Sequence, residues 1–317
     1  MKVITQVIAL FLFISIFSSC SNNDDDTTIK TNTIVDVAVN NNLSSLVAAV
    51  TKAELVATLS SAGPFTVLAP TNEAFAAFLE EKGFNSLNEV PKDVITQILL
   101  NHVIDGSIKS TDLTTGYANT KAISAASDTP MSIHINTDGG VTFNGTSQVS
   151  IPNVSADNGT VHVVDKVIDL PTIVTFAIAD ANFSILVEAL TREASYNYVE
   201  ILSTPNGTEP APFTVFAPVN SAFVSLLDEL DLTALSEVPT ATLTSTLNTH
   251  VVASANVLAS SLSDNMPIST LGGGLTVNLS SEEATLTDSG SRVSKIIATD
   301  VQANNGVIHA IDKVVLE

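Results

Sequence analysis

The stretch that decides the fold is spelled twice. "FTVLAPTNEAF" occupies residues 65–75 and "FTVFAPVNSAF" occupies residues 213–223, and eight of the eleven positions match at a separation of 148 residues. Phe-Thr-Val is prone to form a strand, while Pro70 and Pro218 disfavour its continuation. The motif therefore predicts a strand, a stop and a capped helix, built twice in one chain.

The residues inside this motif suggest separate roles. Asn72 and Asn220 are kept while Thr71 is replaced by Val219, which favours the Asn as the side chain that accepts a backbone N–H at the start of the next helix. The Phe residues recur at the same points in both copies, so packing in the core explains them better than a ligand cleft does. These residues are Phe65, Phe75, Phe213 and Phe223.

Amphipathic helices flank the motif in both copies. Before it, apolar residues follow Asn42 and Asn182 at i, i+3, i+4 and i+7 spacing, which predicts a helix with an Asn cap. After it, "PKDVITQILLNHV" and "PTATLTSTLNTHV" begin with a Pro suited to a first turn and run as helices to His102 and His250. The apolar face of this helix is full in the first copy and thin in the second.

Each copy closes with a second shared signature, "NGTVHVVDKVIDL" in the first and "NGVIHAIDKVVLE" in the second. An Asn-Gly turn is expected to start a strand that is apolar on both faces, as a buried central strand is. The residues singled out in this signature are Asn158, Gly159, His162, Asp165, Asn305, Gly306, His309 and Asp312.

Together, the two signatures and the histidine between them resemble the fasciclin domain, twice, over essentially everything after residue 32. The resemblance implies an α+β fold of two tandem fasciclin-like domains, at 32–170 and 171–317, each a β-wedge or sandwich with several small helices. It also implies a family associated with adhesion and extracellular matrix contacts. Animal members often have Tyr before the central histidine, where this chain has Asn101 and Thr249, so integrin binding is not carried over.

A catalytic or metal site at the repeated histidines fails when the copies are compared. Asp105, the carboxylate that a site at His102 would recruit, is replaced by Ala253 in the second copy. His162 and Asp165 persist as a pair, but residues three apart on a strand point to opposite faces. We therefore predict histidines that are satisfied within the core, aspartates that bond nearby loop or turn amides, and neither a metal nor a cofactor.

The N-terminus carries a different kind of signal. Residues 1–20, "MKVITQVIALFLFISIFSSC", combine a basic start, an apolar stretch too short for a comfortable membrane span, and two small residues before the cysteine. They look like a bacterial lipoprotein signal peptide over 1–19, with Cys20 as the lipidated residue that anchors the protein to a membrane. A plain secretory signal with an incidental cysteine is the alternative.

Residues 20–31 are polar and acidic, which predicts a tether. In one group of bacteria, acidic residues beside the lipidated cysteine resemble the signal for the outer face of the outer membrane. A solvated linker whose charge is incidental explains Asp24, Asp25 and Asp26 equally well. We therefore expect a lipid-anchored, surface-exposed protein of the outer membrane, with a periplasm-facing protein as the alternative.

The amino-acid composition limits the classes of partner that the protein is expected to bind. Acidic residues outnumber basic ones 33 to 12, for a formal charge of −21, and no Lys/Arg cluster is present to neutralise a phosphate backbone, so nucleic acid is not expected as a partner. Trp is absent, so any sugar-stacking platform would use Tyr or Phe. Functional differences between the copies are expected in loops of unequal length, such as residues 196–212.

The leading interpretation is a non-catalytic surface protein that mediates adhesion by binding a glycan or a surface or matrix protein. One alternative is a polysaccharide-acting enzyme built from single-copy residues such as His134 and Asp138, or from the loop at 196–212. Another is a structural subunit of a surface complex.

Overall fold

The computed structural model of the chain describes residues 32–281 and 283–317. The predicted signal peptide, Cys20 and the acidic tether lie outside the described residues. Asn32–Glu317 forms one compact unit, in which the two sequence repeats are two successive sets of helices and strands. The boundary expected at residue 170 lies between the last strand of the first set and the first helix of the second.

The two sets have the same order of elements. The first consists of α1 Ile34–Asn40, α2 Ser44–Lys52, α3 Val56–Leu59, β1 Phe65–Pro70, α4 Asn72–Glu81, α5 Lys92–Leu100, β2 Val103–Asp105, β3 Gly116–Ile123, β4 Pro130–Asn136, β5 Thr142–Phe143, β6 Ser147–Ala156 and β7 Gly159–Val164. The second consists of α6 Ile173–Ala179, α7 Ser184–Thr191, α8 Tyr198–Leu202, β8 Phe213–Pro218, α9 Asn220–Glu229, α10 Thr240–Thr249, β9 Val251–Val252, β10 Met266–Ser269, β11 Gly274–Leu279, β12 Ala284–Thr287, β13 Val293–Ala303 and β14 Gly306–Ile311.

In each repeat the strand of the opening motif pairs in parallel with the strand of the closing motif. β1 lies beside β7, with Phe65 opposite Gly159 and Leu68 opposite His162, and β8 lies beside β14 in the same way. In the first repeat the seven strands close in the order β1 to β7, whereas the second is an open sheet with β10 and β9 at its edges. The predicted α+β fold of two tandem domains is confirmed.

The opening motif forms the predicted strand, and Pro70 and Pro218 end it. Phe75, Phe213 and Phe223 are fully buried in the apolar cores. Phe65 differs from its counterpart Phe213 because it is only half-buried and has the ammonium group of Lys121 5.8 Å from its ring centre. The same motif therefore closes the core completely in the second repeat and less completely in the first.

The predicted role of the motif asparagine was wrong in one respect. Thr71, not Asn72, caps α4, because its hydroxyl accepts the Ala74 N–H at 3.2 Å. Asn72 instead caps the preceding helix α2 from a distance: its Oδ1 accepts the Ser45 N–H at 2.9 Å, and its Nδ2 donates to the Asn42 carbonyl at 2.9 Å.

The second repeat shows the same arrangement. Asn220 Oδ1 accepts the N–H of Ile185 in α7 at 3.0 Å, and its Nδ2 donates to the Ala181 carbonyl at 2.9 Å. The predicted Asn caps at Asn42 and Asn182 were therefore also wrong, since no local side chain caps α2 or α7. The motif asparagine was correctly recognised as a cap, but the helix it caps is the one that packs beside it.

The closing motif is held by its asparagine. Asn158 Oδ1 accepts the N–H of Ile34 at the start of α1, and its Nδ2 donates to the carbonyls of Leu59 and Ser61 at 2.8 and 2.7 Å. Asn305 makes the three corresponding bonds in the second repeat, at 2.8 to 3.0 Å. One buried amide thus joins the first helix, the end of the third helix and the central strand.

The glycine that follows is required by close packing. A Cβ on Gly159 would lie 2.0 Å from the Phe65 carbonyl oxygen, and a Cβ on Gly306 would lie 2.3 Å from the Phe213 carbonyl oxygen. No side chain fits between these strands, so the Asn-Gly pair sets the start of the parallel pairing.

In each repeat, a basic side chain at the end of the second helix bonds backbone carbonyls around a short 3₁₀ turn. Lys52 Nζ donates to the Leu87 and Val90 carbonyls at 2.6 and 2.5 Å, at the end of a short 3₁₀ turn. Arg192 Nη1 donates to the two matching carbonyls of the second repeat at 3.0 and 2.8 Å. The Leu87 and Leu235 carbonyls also accept the N–H groups of Val90 and Val238, so each basic side chain adds a second bond to a carbonyl of the turn and bonds the carbonyl of the residue that follows it.

The repeats contact each other through buried hydrogen bonds. The Gln302 N–H donates to Ser132 Oγ at 3.0 Å, and Gln302 Nε2 donates to Ser124 Oγ at 3.1 Å. Ser124 Oγ in turn donates to the Ala303 carbonyl at 2.7 Å. Strand β13 of the second repeat is thus fixed against β4 and the end of β3 in the first.

No single helix in the described part of the chain has the length and hydropathy of a membrane span. The pair Ile173–Ala179 and Ala181–Thr191 meets those criteria only when taken together, and it is bent by 96°.

We expect Asn158→Ala and Asn305→Ala each to lower the free energy of unfolding by about 2–4 kcal/mol, because each leaves a buried N–H and two carbonyls without their partner. Urea unfolding followed by circular dichroism measures this change. Ser225→Ala, on the exposed face of α9, is the control and should change the value by less than about 0.5 kcal/mol. An Asn variant as stable as the control would contradict the proposed role.

Candidate functional site

The repeated histidines are bonded to the backbone. His102 Nδ1 lies 2.7 Å from the Ile98 carbonyl, and its Nε2 accepts the Ile168 N–H at 2.9 Å. His250 makes the matching bonds to the Thr246 carbonyl and the Val315 N–H at 2.7 and 3.2 Å. With Nδ1 as donor and Nε2 as acceptor, each ring is neutral and ties the end of α5 or α10 to the segment after the last strand.

His162 and His309 also bond backbone groups through their rings, but the roles of Nδ1 and Nε2 are exchanged. His162 Nδ1 accepts the Asn153 N–H at 3.2 Å, and its Nε2 lies 3.0 Å from the Ile108 carbonyl. His309 Nε2 lies 2.8 Å from the Val257 carbonyl. Burial lowers the pKa of both histidines below its usual value. Such rings have no lone pair left for a metal or a substrate.

The predicted partners of the closing-motif aspartates were wrong, because these side chains bond amides of neighbouring strands rather than amides of loops or turns. Asp165 Oδ1 accepts the Gln148 N–H at 2.7 Å, and Asp312 Oδ1 accepts the Lys295 N–H at 2.7 Å. Neither is brought together with the histidine three residues before it. Asp105, the carboxylate that a site at His102 would recruit, forms an ion pair with Lys121, with Oδ1 2.6 Å from Nζ. In residues 32–281 and 283–317, no group of three or more His, Cys, Asp or Glu side chains could hold a metal ion.

Asn101, in the position that precedes the central histidine, is also fully buried. Its Nδ2 donates to the Asp169 carbonyl at 3.1 Å, and its Oδ1 accepts the Thr120 hydroxyl at 3.2 Å. Together with His102, it therefore holds the segment that follows β7. In the second repeat the Thr249 hydroxyl donates to the Ser245 carbonyl of its own helix at 3.0 Å.

The single-copy pair His134 and Asp138 does not form a catalytic arrangement. His134 is 2 % exposed and packs edge-on against Tyr117, with ring centres 5.0 Å apart, whereas Asp138 lies on the exposed turn after β4. Tyr117 in turn donates its hydroxyl to Asp180 at 3.0 Å and packs against Phe176, so His134 belongs to the contact between the repeats.

The first part of the loop at 196–212 lines a concave surface, which we call the tyrosine cleft. Its volume is about 320 Å³, and every residue that lines it is uncharged. The cleft is lined by Ser195, Tyr196, Asn197, Tyr198, Ile201, Leu202, Thr244, Asn248, Val251 and Leu271.

The two tyrosines are held rigidly. Their rings meet edge to face with centres 5.2 Å apart. The Tyr196 hydroxyl lies 2.9 Å from Thr244 Oγ1, and the Tyr198 hydroxyl donates to Asn248 Oδ1 at 3.0 Å. Both rings are half-buried, so each packs against the protein on one side while part of its surface remains exposed to solvent. Asn248 itself also lines the cleft.

Leu271, which precedes Gly272, Gly273 and Gly274 in a turn far along the chain, also lines the cleft. Leu271 is 53 % exposed, and its N–H donates to the Val251 carbonyl at 2.8 Å. Gly272 packs so closely on α10 that a Cβ would lie 2.6 Å from the Thr249 nitrogen and 2.8 Å from the Ser245 carbonyl oxygen. Gly272 is therefore the glycine of this turn that packs against helix backbone.

The cleft belongs to the second repeat alone. Tyr198 takes the place of Leu55, which is buried, and Tyr196 lies in an insertion that the first repeat lacks. Sequence reasoning named the loop but not the tyrosines. The signal was available: two of the three Tyr residues in a chain without Trp stand two positions apart in the loop whose length differs.

The histidines predict a pH dependence of stability. Burial lowers the pKa of His102 and His250 from 6.5 to about 4, so the unfolded chain binds protons in this interval that the folded chain does not. The free energy of unfolding is therefore full above pH 6.5 and falls as the pH drops towards 4, by up to roughly 1.4 kcal/mol per pH unit for each histidine.

Urea unfolding between pH 7.5 and 5 measures this slope in a range where most carboxylates stay ionised. His250→Gln should be less stable at pH 7.5 but decline less steeply. A free energy of unfolding that is constant over this range would show that these histidines are not neutral in the fold.

Gly272→Ala should destabilise the protein by about 1–3 kcal/mol, since the added methyl group meets helix backbone rather than a movable side chain. Gly273→Ala is a matched control, because the nearest atom to its added Cβ is Glu317 Cγ at 3.7 Å. Equal thermal denaturation midpoints for the two variants would contradict the close packing of this turn.

Comparison with known proteins agrees with this architecture. A family model described as "Fasciclin domain" matches residues 41–171 and 181–317. Protein sll1483 of Synechocystis sp. is 39% identical over 137 residues, which cover 43% of this chain and 72% of that protein.

Transforming growth factor-beta-induced protein ig-h3 of Sus scrofa is 30% identical over 254 residues, which cover 80% of this chain but only 35% of that protein. The solved structure of a FAS1 domain pair from the insect cell adhesion molecule Fasciclin I matches with a TM-score of 0.56 at 19% identity. The match covers 88% of this chain and 98% of that one. At this identity the likeness concerns the fold. The family match spans both repeats, and the chain therefore belongs to the fasciclin domain family, with two tandem copies of the domain.

Proposed function

We propose that this protein is a non-catalytic adhesion protein that binds an uncharged glycan through the tyrosine cleft. The observation that carries the proposal is the pair Tyr196 and Tyr198, fixed edge to face in an uncharged cleft of about 320 Å³. An aromatic surface can stack on the apolar face of a sugar ring, and amide and hydroxyl groups at its edge can bond the sugar hydroxyls.

Family membership supports the adhesion half of this proposal. The matched domain pair comes from a molecule named for cell adhesion, and the repeated histidines are bonded to backbone groups rather than available for catalysis. We further propose that lipid on Cys20 holds the chain at the outer membrane, with the tether at 20–31 giving the domains reach from the surface. Support for the anchor comes from the sequence of the leader alone.

A glycan array, followed by calorimetry with the best ligand, tests the binding proposal. Tyr196→Ala should weaken binding by about tenfold or more, which corresponds to about 1.4 kcal/mol of lost stacking. Val224→Ala, at an exposed apolar position on α9 that does not line the cleft, should leave the affinity unchanged.

Matrix proteins printed on the same array test the alternative partner, which is a surface or matrix protein. Binding to a protein, with no glycan bound and no effect of Tyr196→Ala, would contradict the proposal and favour direct contact with a surface or matrix protein. Release of sugar products would favour the enzyme alternative.

A further inference from the structure

A groove of apolar side chains lies among the three helices that begin the second domain, and we call it the apolar groove. It is lined by α6, α7 and α8, by the central strands β8 and β14, and by residues around the end of α10. Its volume is about 70 Å³. An apolar protein cavity of ~150 Å³ holds a benzene molecule, so the apolar groove has room for a few carbon atoms in its interior.

The first domain has the same groove in a much smaller form, with a volume of about 20 Å³. Both grooves are built from corresponding positions of the two repeats. Ala38 and Val67 line the first groove, and Ala177 and Val215 stand at the matching places in the second. The first domain therefore provides an internal comparison for any binding to the second.

The lining of the apolar groove does not suit a polar ligand. Among the described residues that line it, only Thr191 and His250 have polar side-chain atoms. The Thr191 hydroxyl donates to the Val187 carbonyl at 2.8 Å, and both ring nitrogens of His250 bond backbone groups. A water molecule needs about 2–4 polar partners to be held in a cavity, so this lining favours a hydrocarbon.

The apolar groove reaches from the protein surface to the central sheet. Ile178 and Val199 line it and are 65 % and 41 % exposed, whereas Val215 and Ile308 also line it and are 5 % and 1 % exposed. A helix with its side chains is about 10–12 Å across, which exceeds the length of a leucine or phenylalanine side chain. A thin, unbranched chain can therefore reach the strands, whereas a side chain on the surface of a partner protein is too short.

Charge around the apolar groove disfavours an anionic head group. No Lys or Arg of residues 32–281 and 283–317 lines it. Glu188 and Glu200 are exposed and follow the lining residues Val187 and Val199 in sequence, and the chain carries a formal charge of −21. Because like charges repel, an alcohol or ester head is favoured over a carboxylate or a phosphate.

We propose that the apolar groove of the second domain binds the alkyl chain of an uncharged lipid. The methyl end of the chain lies against the central strands, and the polar head lies in solvent beyond Ile178 and Val199. The site adds a second kind of ligand to the protein and does not depend on glycan binding, since neither tyrosine of the tyrosine cleft lines it.

The test uses residues 32–317, which form one compact unit, and nuclear magnetic resonance of isoleucine methyl groups. The probes are 1-octanol, 1-butanol and octanoate. The Ile308 methyl signal should shift and saturate with 1-octanol, which should bind about tenfold or more tightly than 1-butanol, because each buried methylene adds about fourfold to the affinity. Octanoate should bind about threefold or more weakly than 1-octanol.

Paired variants in the two domains locate the site. Ala177→Leu should fill the apolar groove and weaken 1-octanol binding by about tenfold or more, whereas Ala38→Leu in the first domain should change it less than twofold. Val187→Phe and Val47→Phe are a second pair at half-buried positions, with the same expected contrast. Circular dichroism checks that each variant is folded.

A saturable Ile308 shift that is lost only in the second-domain variants supports the proposal. No saturable shift at Ile308, an equal shift of Ile34 in the first groove, or octanoate that binds as tightly as 1-octanol would overturn it. An Ile308 signal that responds to protein concentration, or to an amphipathic Leu/Lys helical peptide, but not to 1-octanol would overturn it in favour of a second copy or a partner helix.

Discussion

The fold depends on one buried asparagine in each domain. Asn158 and Asn305 each bond the start of the first helix and two carbonyls after the third helix, while the adjacent glycine lets two central strands run in parallel without a side chain between them. Because the opening and closing motifs meet at this point, neither can change alone. Two stretches of sequence about 90 residues apart are therefore kept as a pair, in both copies.

The repeated histidines extend the same principle. Each bonds backbone groups of two different segments through its two ring nitrogens. Burial keeps His102 and His250 neutral at physiological pH. Histidines, which in a linear sequence suggest a catalytic or metal site, thus serve as hydrogen-bonded cross-links between segments of the folded domain. Function is better sought where the copies differ, and the tyrosine cleft lies at such a place.

Much of the fold was readable from sequence because the repeat removed ambiguity. Strand, stop and helix follow from local residue types, and the alignment of two copies separated fixed points from loops. The caps were misassigned because a side chain such as Asn72 can reach a helix that is distant in sequence, which no local rule foresees. Phe65 and Phe213 share a motif but differ in burial, since the neighbouring packing decides that.

The tyrosine cleft was harder to foresee for the same reason. It needs an insertion, helix α10 and a glycine turn far along the chain to come together. The sequence predicts the helix and marks the loop of unequal length, but it does not show that these parts meet. The contact between the two domains, to which Gln302, Ser124 and Ser132 contribute, likewise joins residues that are distant in sequence.

The central claim is that the shared motifs build the domains, while single-copy surfaces bind the ligand. A crystal structure of the protein with a bound neutral oligosaccharide tests it most directly. The account predicts sugar density against Tyr196 and Tyr198 in the second domain and none at the matching surface of the first. Sugar bound at equivalent positions in both domains, on the repeated motifs themselves, would contradict it.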